Sequence, residues 1–298
     1  MATTCATALP DSPSSFVATL RDFYTLTKPE VNLLILMTTS AGFYLASRGR
    51  LHWAGLANTL IGTLLVASGT AALNQWMERG HDALMRRTAG RPLPARRITS
   101  HAALLFGVAL GAAGGVYLAV LVNWLSALLA VATLLSYLLV YTPLKRKTPL
   151  CTLLGAFPGA MPTLIGWAGA SARIDAQAWL LFAILFLWQF PHFLAIALMY
   201  REDYARAGYR MLPRFDADSR FTHAEIIFFS VVLVSITVLP AVAGGRAYAA
   251  AMALAGMFLL YYSVRLLNPS AKGSPARLLH ASVIYLPVAL AIMMLGKA

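Results

Sequence analysis

The chain has 298 residues, of which 59% are hydrophobic and only 12% are charged. Soluble domains usually contain about 25% charged residues, so this composition excludes an ordinary soluble protein and predicts a membrane protein. The formal net charge is +13. Because the basic residues lie in short connections between apolar runs and not on one soluble face, we expect no nucleic-acid partner.

The N-terminal segment and the two cysteines carry little functional information. Residues 1–22 are rich in Thr, Ser, Ala and Pro and contain a single arginine, which fits neither a signal peptide nor an arginine-rich transit peptide. We predict a disordered cytoplasmic tail over residues 1–22 and a single transmembrane domain over residues 23–298. Cys5 and Cys151 are far apart, and their spacing indicates neither a disulfide framework nor a zinc site.

Nine apolar runs are long enough to cross about 30 Å of hydrocarbon. They cover residues 31–47, 53–73, 102–121, 124–141, 150–170, 179–199, 224–243, 248–266 and 278–295. The weakest boundaries are the short breaks at 122–124 and 244–246, because losing either would change the number of spans. The sequence therefore predicts an all-α polytopic membrane protein with nine transmembrane helices.

Lysine and arginine in the loops predict the orientation, because cytoplasmic loops carry an excess of both. With the N-terminus inside, most of the 24 basic residues fall in the tail and in the second, fourth, sixth and eighth loops. The exceptions are Arg48, Arg50, Arg173, Arg246 and Lys297. We therefore predict a cytoplasmic N-terminus, an external C-terminus and a cytoplasmic face on which most carboxylates gather.

The end of the second span combines three oxygen ligands with arginines. Asn74, Glu78 and Asp82 are spaced i, i+4 and i+8, so on a helix they project from one face. Such ligands suit Mg²⁺, which is commonly held by one or two carboxylates together with substrate phosphates. Arg87 and Arg91 follow and would grip a phosphate. The alternative is a solvated helix end with incidental charges, which fits less well because the same helix is apolar just upstream.

Two further stretches combine ionisable residues with proline. Tyr141 is followed by Lys145 and Arg146 between two prolines, which predicts a rigid, non-helical turn or, as the alternative, a plain positive-inside loop. His192 lies inside the sixth span, where ionisable residues usually face the bundle interior; it is either satisfied by another span or in contact with substrate or iron. Asp203 follows about three turns later, so we expect it to face the acidic end of the second span across the bundle.

The polar stretches resemble signatures of the UbiA-type intramembrane prenyltransferases. The matching residues are Asn74-x3-Glu78-x3-Asp82, Arg87-Thr88-x2-Arg91-Pro92-Leu93-Pro94 and Tyr141-Thr-Pro-Leu-Lys145-Arg146. Within this superfamily the chain resembles the haem O synthase branch, the protohaem IX farnesyltransferases. The residues that carry this second resemblance are Leu26-Thr27-Lys28-Pro29, Trp188-Gln-x-Pro191-His192-Phe193 and Asp203-Tyr204-x3-Gly208-x2-Met211-Leu212-Pro213.

The resemblance implies an activity and a role for each residue. The branch transfers the farnesyl group of farnesyl diphosphate to the vinyl group of haem B with addition of water, making haem O and diphosphate. The implied catalytic Mg²⁺ ligands are Asn74, Glu78, Asp82 and Asp203, and the implied diphosphate-binding residues are Arg87, Arg91, Lys145 and Arg146. The ring of Tyr141 would stabilise the farnesyl cation, and His192 would serve the haem, either at the iron or by ordering water.

The resemblance also implies a cellular setting. It places the helices around a central cavity that opens to the cytoplasmic side of a bacterial inner membrane. Farnesyl diphosphate, haem B and the lipid bilayer are the implied partners, and a haem A synthase would consume the product.

Two departures from the superfamily pattern bear on the acceptor. Glu78 stands where the superfamily commonly has Asp, and Ala207 stands four residues after Asp203, where quinone-type members usually have a second Asp. The second departure favours the haem branch and leaves open whether Glu202 joins the metal site. A quinone-type aromatic prenyltransferase is the first alternative. A membrane transporter is the second, although its binding site would be expected at the bilayer midplane.

Overall fold

The computed structural model describes residues 16–238, 241–268 and 274–297, and the regular structure within them is helical. The helices are α1 (Phe16–Leu26), α2 (Pro29–Ala46), α3 (Trp53–Asp82), α4 (Ser100–Leu121), α5 (Trp124–Ser136), α6 (Thr142–Leu144), α7 (Cys151–Ser171), α8 (Ala176–Met199), α9 (Arg201–Arg206), α10 (Arg220–Val238), α11 (Ala241–Arg265) and α12 (Ser274–Leu295). A π-helical stretch, Tyr137–Tyr141, joins α5 to α6, and a 3₁₀ turn covers Leu212–Arg214. The predicted all-α class is confirmed.

Eight helical segments in the described residues are long and apolar enough to cross a membrane. They are Trp53–Asp82, Ser100–Leu121, Trp124–Leu144, Cys151–Ser171, Ala176–Met199, Arg220–Val238, Gly245–Arg265 and Pro275–Leu295. Helix α2, with 18 residues, occupies the first predicted span but is not one of the eight, because its first turn contains polar side chains. The prediction of a multi-pass helical membrane protein is therefore confirmed, with eight segments in place of nine by this criterion.

Both weak boundaries in the sequence are breaks between helical segments. Asn123 caps α5 by accepting a hydrogen bond from the Ser126 N–H at 2.9 Å, and its amide donates to the carbonyl oxygen of Ala168 on α7 at 2.9 Å. Gly245 interrupts α11 with a φ of 76°. Residues other than glycine rarely adopt this backbone conformation. The spans on either side of each break are therefore separate segments, as the sequence predicted.

Helix α1 corrects the prediction for the N-terminal tail. The chain is helical from Phe16, so a disordered tail over residues 1–22 is wrong from residue 16 on, and residues 1–15 lie outside the described part of the chain. The helix exposes a strip of apolar side chains formed by Phe16, Val17, Leu20 and Tyr24. Such a face suits a helix that lies along a membrane surface. An ion pair of 3.0 Å between Asp22 and Arg97 fastens α1 to the segment that follows α3.

Helices α2 and α7 pack with their backbones in close contact. A Cβ atom at Gly42 would lie 2.3 Å from the carbonyl oxygen of Thr163, and one at Gly166 would lie 2.0 Å from that of Thr39. Small residues allow this approach in membrane helices. Because α2 begins directly after Lys28, the α2–α7 contact fixes where that lysine enters the bundle.

Candidate active site

Three polar residues near the C-terminal end of α3 are buried. Asn74, Glu78 and Asp82 are 1%, 6% and 1% exposed, although Asp82 is the last residue of the helix. The helix continues without a break through all three positions, so they share one face as their spacing predicted. Burying two carboxylates is unfavourable unless each is paired.

Lys145 pairs with Glu78 and lies over an aromatic ring. Its Nζ atom is 2.9 Å from Oε1 and 3.2 Å from Oε2 of Glu78, and 4.5 Å from the centre of the Tyr141 ring. Burial lowers the pKa of Lys145, but the adjacent Tyr141 and Glu78 outweigh burial and raise this pKa well above its ordinary value. Lys145 is therefore a permanent cation at the end of α3.

The segment around Lys145 differs from the predicted non-helical turn. Residues 137–141 are π-helical and residues 142–144 are α-helical, and the turn begins only at Lys145. The physical reason is the position of Pro143 in the first turn of α6, where a helix does not need the missing N–H. The carbonyl oxygen of Lys145 accepts a hydrogen bond of 2.7 Å from the N–H of Arg210, which ties this turn to the segment after α9.

The segment that follows α3 folds back over the end of the helix. Arg91 Nη1 is 2.8 Å from Oδ2 of Asp82, and the Thr88 hydroxyl donates to the backbone carbonyl of Asp82 at 2.8 Å. The predicted Arg-Thr-x2-Arg run therefore wraps around Asp82. Within this run, Arg91 lies beside the carboxylate of Asp82, whereas Arg87 is exposed.

Asp203 on α9 joins the same end of the bundle. It is 8% exposed, its Oδ2 accepts a hydrogen bond of 3.2 Å from the backbone N–H of Arg87, and its Oδ1 pairs with Arg206. The guanidinium group of Arg87 lies 4.9 Å from the centre of the Tyr200 ring. The two acidic helix ends are thus linked through Arg87, whereas Glu202 is exposed.

Arg146 reaches the site through a histidine that sequence reasoning missed. Its Nη1 atom lies 3.1 Å from His81 Nε2, and His81 Nδ1 lies 3.1 Å from the carbonyl oxygen of Ala207. Arginine only donates and a carbonyl only accepts, so His81 is neutral with its proton on Nδ1. His81 lies inside the first signature, between Glu78 and Asp82. This position could have identified it as a site residue from the sequence.

Lys28 is a second half-buried residue without a predicted role. Its Nζ atom donates to Oδ1 of Asn74 at 2.9 Å, and the Asn74 amide donates to the Thr142 hydroxyl at 3.2 Å. Burial and the nearby Arg91 guanidinium lower the pKa of Lys28 to about 7, against the opposing effect of Glu78. Lys28 could have been noticed in the sequence because it lies at the start of an apolar run. It belongs to a stretch that carried the family resemblance, but no chemical role was predicted for it.

A small cavity lies beside these ion pairs. Its lining residues are Met77, Glu78, His81, Thr142, Arg146 and Tyr209. The Tyr209 hydroxyl is buried and has no hydrogen-bond partner among the described residues, and burial raises the pKa of Tyr209. Within the described ranges, no group of three or more His, Cys, Asp or Glu side chains could hold a metal ion. The buried carboxylates Glu78, Asp82 and Asp203 are each paired with a basic side chain.

His192 lies in a different part of the molecule. Its Nδ1 atom is 2.9 Å from the hydroxyl oxygen of Ser282 on α12, and its ring stacks on Trp188 with 4.6 Å between ring centres. In the part of the chain that the structure describes, no hydrogen bond or ion pair joins it to Glu78, Asp82 or Asp203. The structure therefore brings together nine of the ten predicted site residues and leaves His192 apart.

A helical membrane bundle with acidic and basic residues collected at one end suggests an enzyme acting on a charged amphiphile. The chain belongs to the UbiA prenyltransferase family, whose family model matches residues 35–286. The predicted prenyltransferase class is therefore confirmed, and the transporter alternative is set aside.

Individual relatives in this family are similar over nearly their whole length. Protoheme IX farnesyltransferase of Solibacter usitatus is 47% identical over 289 residues, which cover 93% of this chain and 99% of the relative. The protein of the same name from Koribacter versatilis is 43% identical over 291 residues, covering 93% and 94%. A solved UbiA homologue from Archaeoglobus fulgidus bound to GPP and Mg²⁺ shares the fold, with a TM-score of 0.65, 15% identity and coverage of 91% and 99%.

Proposed function

We propose that this chain transfers the farnesyl group of farnesyl diphosphate to the vinyl group of haem B, with addition of water, and releases haem O and diphosphate. The observation that carries the proposal is the 47% identity to a protoheme IX farnesyltransferase over almost the full length of both chains. The geometry supports the diphosphate half of the reaction. Ala207, at the position where quinone-type members usually have Asp, supports haem as the acceptor.

The difficult step is breaking an allylic C–O bond while negative charge develops on the diphosphate. A bound Mg²⁺ would neutralise part of this charge. The oxygen atoms of Asn74, Glu78, Asp82 and Asp203 are the hard donors that Mg²⁺ prefers. They form no protein-only cage, which fits an ion that takes its remaining ligands from diphosphate and water. The unpaired hydroxyl of Tyr209, in the cavity beside Glu78, adds a donor for a phosphate oxygen.

The ion pairs suggest how the site accepts its substrate. Lys145 and Arg91 now pair with Glu78 and Asp82 at 2.9 and 2.8 Å. With diphosphate and its metal bound, Glu78 and Asp82 would hold the cation, and Lys145 and Arg91 would bind the phosphate oxygens. We call this rearrangement the ion-pair exchange. It keeps every buried charge compensated, which a buried site requires.

Other basic residues would complete the grip on the diphosphate. Arg146 points into the cavity beside Glu78, and Arg87 lies beside Asp203. The face of the Tyr141 ring already holds a cation, the Lys145 ammonium group. Once Lys145 turns to the diphosphate, the same face is free to stabilise the farnesyl cation.

The cellular setting is part of the proposal. The excess of lysine and arginine in alternate loops supports a cytoplasmic location for this end of the bundle, where farnesyl diphosphate would enter. A bacterial inner membrane and a haem A synthase that consumes the product complete the setting.

Reconstitution tests the proposal. Farnesyl diphosphate, Mg²⁺ and an equimolar mixture of haem B and 4-hydroxybenzoate are added to the purified chain in lipid nanodiscs. The masses of the products are measured by mass spectrometry. We expect haem heavier by one farnesyl group plus one water, and no prenylated benzoate. Prenylated benzoate with unchanged haem would contradict the acceptor, and the absence of diphosphate release would contradict the reaction.

A further inference from the structure

The hydrogen bonds of Ser282 determine the protonation of His192. The hydroxyl of Ser282 donates to the carbonyl oxygen of Leu279 at 2.7 Å, and a hydroxyl has one proton to donate. The contact of 2.9 Å between Ser282 Oγ and His192 Nδ1 must therefore have Nδ1–H as its donor. His192 is consequently in the tautomer that leaves a lone pair on Nε2.

The ring of His192 is also held on its face. Trp188, one helical turn earlier on α8, stacks on it with an angle of 23° between the ring planes. The Trp188 indole N–H donates to the backbone carbonyl of Ser282 at 2.7 Å, so the same residue of α12 fixes both aromatic rings. These contacts hold the imidazole in one orientation.

Helix α8 is itself fixed in its register against α7. Gln189 donates to the carbonyl oxygen of Ala156 at 2.9 Å, and a Cβ atom at Gly159 would lie 1.9 Å from Gln189 Oε1. Gly159 therefore leaves the space that the side-chain amide of Gln189 occupies against α7. Since His192 follows Gln189 within one turn, α7 positions the histidine from one side and α12 from the other.

The Nε2 atom remains available to a ligand. It has no hydrogen-bond partner among the described residues, and it is not among the fully buried unpaired nitrogen and oxygen atoms. A metal-binding histidine commonly has this arrangement, with one nitrogen held as a donor by the protein and the other presented unprotonated. Ionisable residues inside a span are expensive to bury and usually functional.

The surroundings restrict which metal His192 could bind. In the described residues no group of three or more His, Cys, Asp or Glu side chains could hold a metal ion, so these residues build no metal cage around His192. A bare Zn²⁺ or Mg²⁺ needs more ligands than this. The iron of a haem brings four nitrogen ligands from its own macrocycle, and a single histidine is enough to hold it.

We propose that Nε2 of His192 is an axial ligand to the iron of the acceptor haem, and that Ser282 is the positioning residue that fixes the required tautomer. The inference rests on the proposed function, because haem is the acceptor in that reaction. Iron ligation at α8 fixes the haem relative to the bundle, while the acidic end of α3 holds the diphosphate.

Ferric haem B added to the purified chain, without farnesyl diphosphate, tests the ligand directly. We expect the absorption and electron paramagnetic resonance spectra of a histidine-ligated haem, their loss in His192→Ala, and their partial return when imidazole is added.

Ser282→Ala retains His192 but removes the hydrogen-bond partner that fixes its tautomer. The affinity of this variant for haem should fall by roughly tenfold or more, the usual effect of removing such a partner. His280→Ala, which removes an exposed histidine of the same α12, is the matched control and should leave the spectra unchanged.

The outcomes separate this inference from the proposed function. A wild-type haem spectrum in His192→Ala would overturn the ligand assignment, even if haem O is still made. A histidine-ligated spectrum that depends on His192 in a protein that makes no haem O would uphold the ligand and overturn the function. If His192→Ala does not fold, His192→Met preserves the side-chain volume, and an unchanged spectrum in that variant would likewise overturn the assignment.

Discussion

At the scale of single residues, the site is a set of buried charges that stabilise one another. Lys145 and Glu78 are the clearest example, because both side chains are largely shielded, at 12% and 8% exposed. Removing one member of a buried pair leaves the other charge uncompensated. The pair therefore supports the fold and, in the proposed ion-pair exchange, would also make Lys145 available to the diphosphate.

The first prediction concerns this pair. Lys145→Met should lower the free energy of unfolding by about 3–5 kcal/mol, because Glu78 stays buried without a cation. Thermal unfolding of the purified protein in detergent measures the change. The control is Arg97→Met, which breaks the more exposed pair with Asp22 and should lower the free energy of unfolding by about 1 kcal/mol or less. Equal losses in both variants would contradict the buried-pair argument.

Residue spacing predicted part of the site, and long-range contacts supplied the rest. Asn74, Glu78 and Asp82 could be placed on one face of α3 because helical periodicity is local information. The partnership of Lys28 with Asn74 joins positions 46 residues apart in the chain. Local spacing contains nothing about such a contact, and for this reason Lys28 received no role from the sequence.

At the scale of the elements, hydropathy predicted the long helices and missed the short ones. Each long apolar run coincides with a helix because a chain in lipid must satisfy its backbone hydrogen bonds internally. Helix α1 has only 11 residues, so it is too short to be found among apolar runs of membrane-spanning length. The π-helical stretch before α6 has five residues and continues the apolar run of α5, so hydropathy does not distinguish it from α-helix.

The second prediction tests the α2–α7 contact. Gly166→Val should destabilise the protein by about 1–3 kcal/mol, because the new Cβ meets the backbone oxygen of Thr39 and backbone cannot move aside as a side chain can. Farnesyl transfer should fall as well, since α2 positions the preceding Lys28, which donates to Asn74. Gly80→Ala is the matched control, because a Cβ at Gly80 meets nothing within 4 Å. Wild-type unfolding and turnover in Gly166→Val would refute the close packing.

The third prediction concerns the start of α10 and its dependence on pH. Burial raises the pKa of Asp216, but hydrogen bonds of 2.7 and 2.8 Å from the Thr222 N–H and hydroxyl outweigh it and hold this pKa below the ordinary 3.8. A carboxyl group with a lowered folded-state pKa stabilises the fold above its unfolded pKa, and this stabilisation disappears as the pH falls through the folded-state value.

Asp216→Asn should therefore lower the free energy of unfolding by about 1 kcal/mol at pH 7, the usual contribution of a helix cap. The difference from wild type should shrink as the pH is lowered below 3.8, the ordinary carboxyl value. Chemical unfolding at a series of pH values provides the measurement. Asp218→Asn alters an exposed carboxylate two residues away and should show no such trend. A difference that is constant with pH would argue against the charged cap.

At the scale of the whole molecule, the two ends of the bundle have different tasks. At one end, Lys297 donates to the carbonyl oxygens of Tyr44 and Ser47, which ties the end of α12 to the end of α2. At the other end, residues from α3, α6 and α9 and from the segments between them converge on the buried carboxylates. The buried ion pairs of the candidate site are thus gathered at one end of the bundle, and under the proposed function the apolar interior would hold the farnesyl chain.

The central claim is that the carboxylates at the end of α3 hold the metal that activates the diphosphate. The most direct test is the rate of haem O formation by purified Asp82→Ala at saturating Mg²⁺, measured beside Asp218→Ala as the control for loss of an exposed carboxylate. The account predicts that Asp82→Ala inserts into the membrane and binds haem but makes no haem O, while Asp218→Ala turns over like the wild type. Near-normal turnover by folded Asp82→Ala would contradict it.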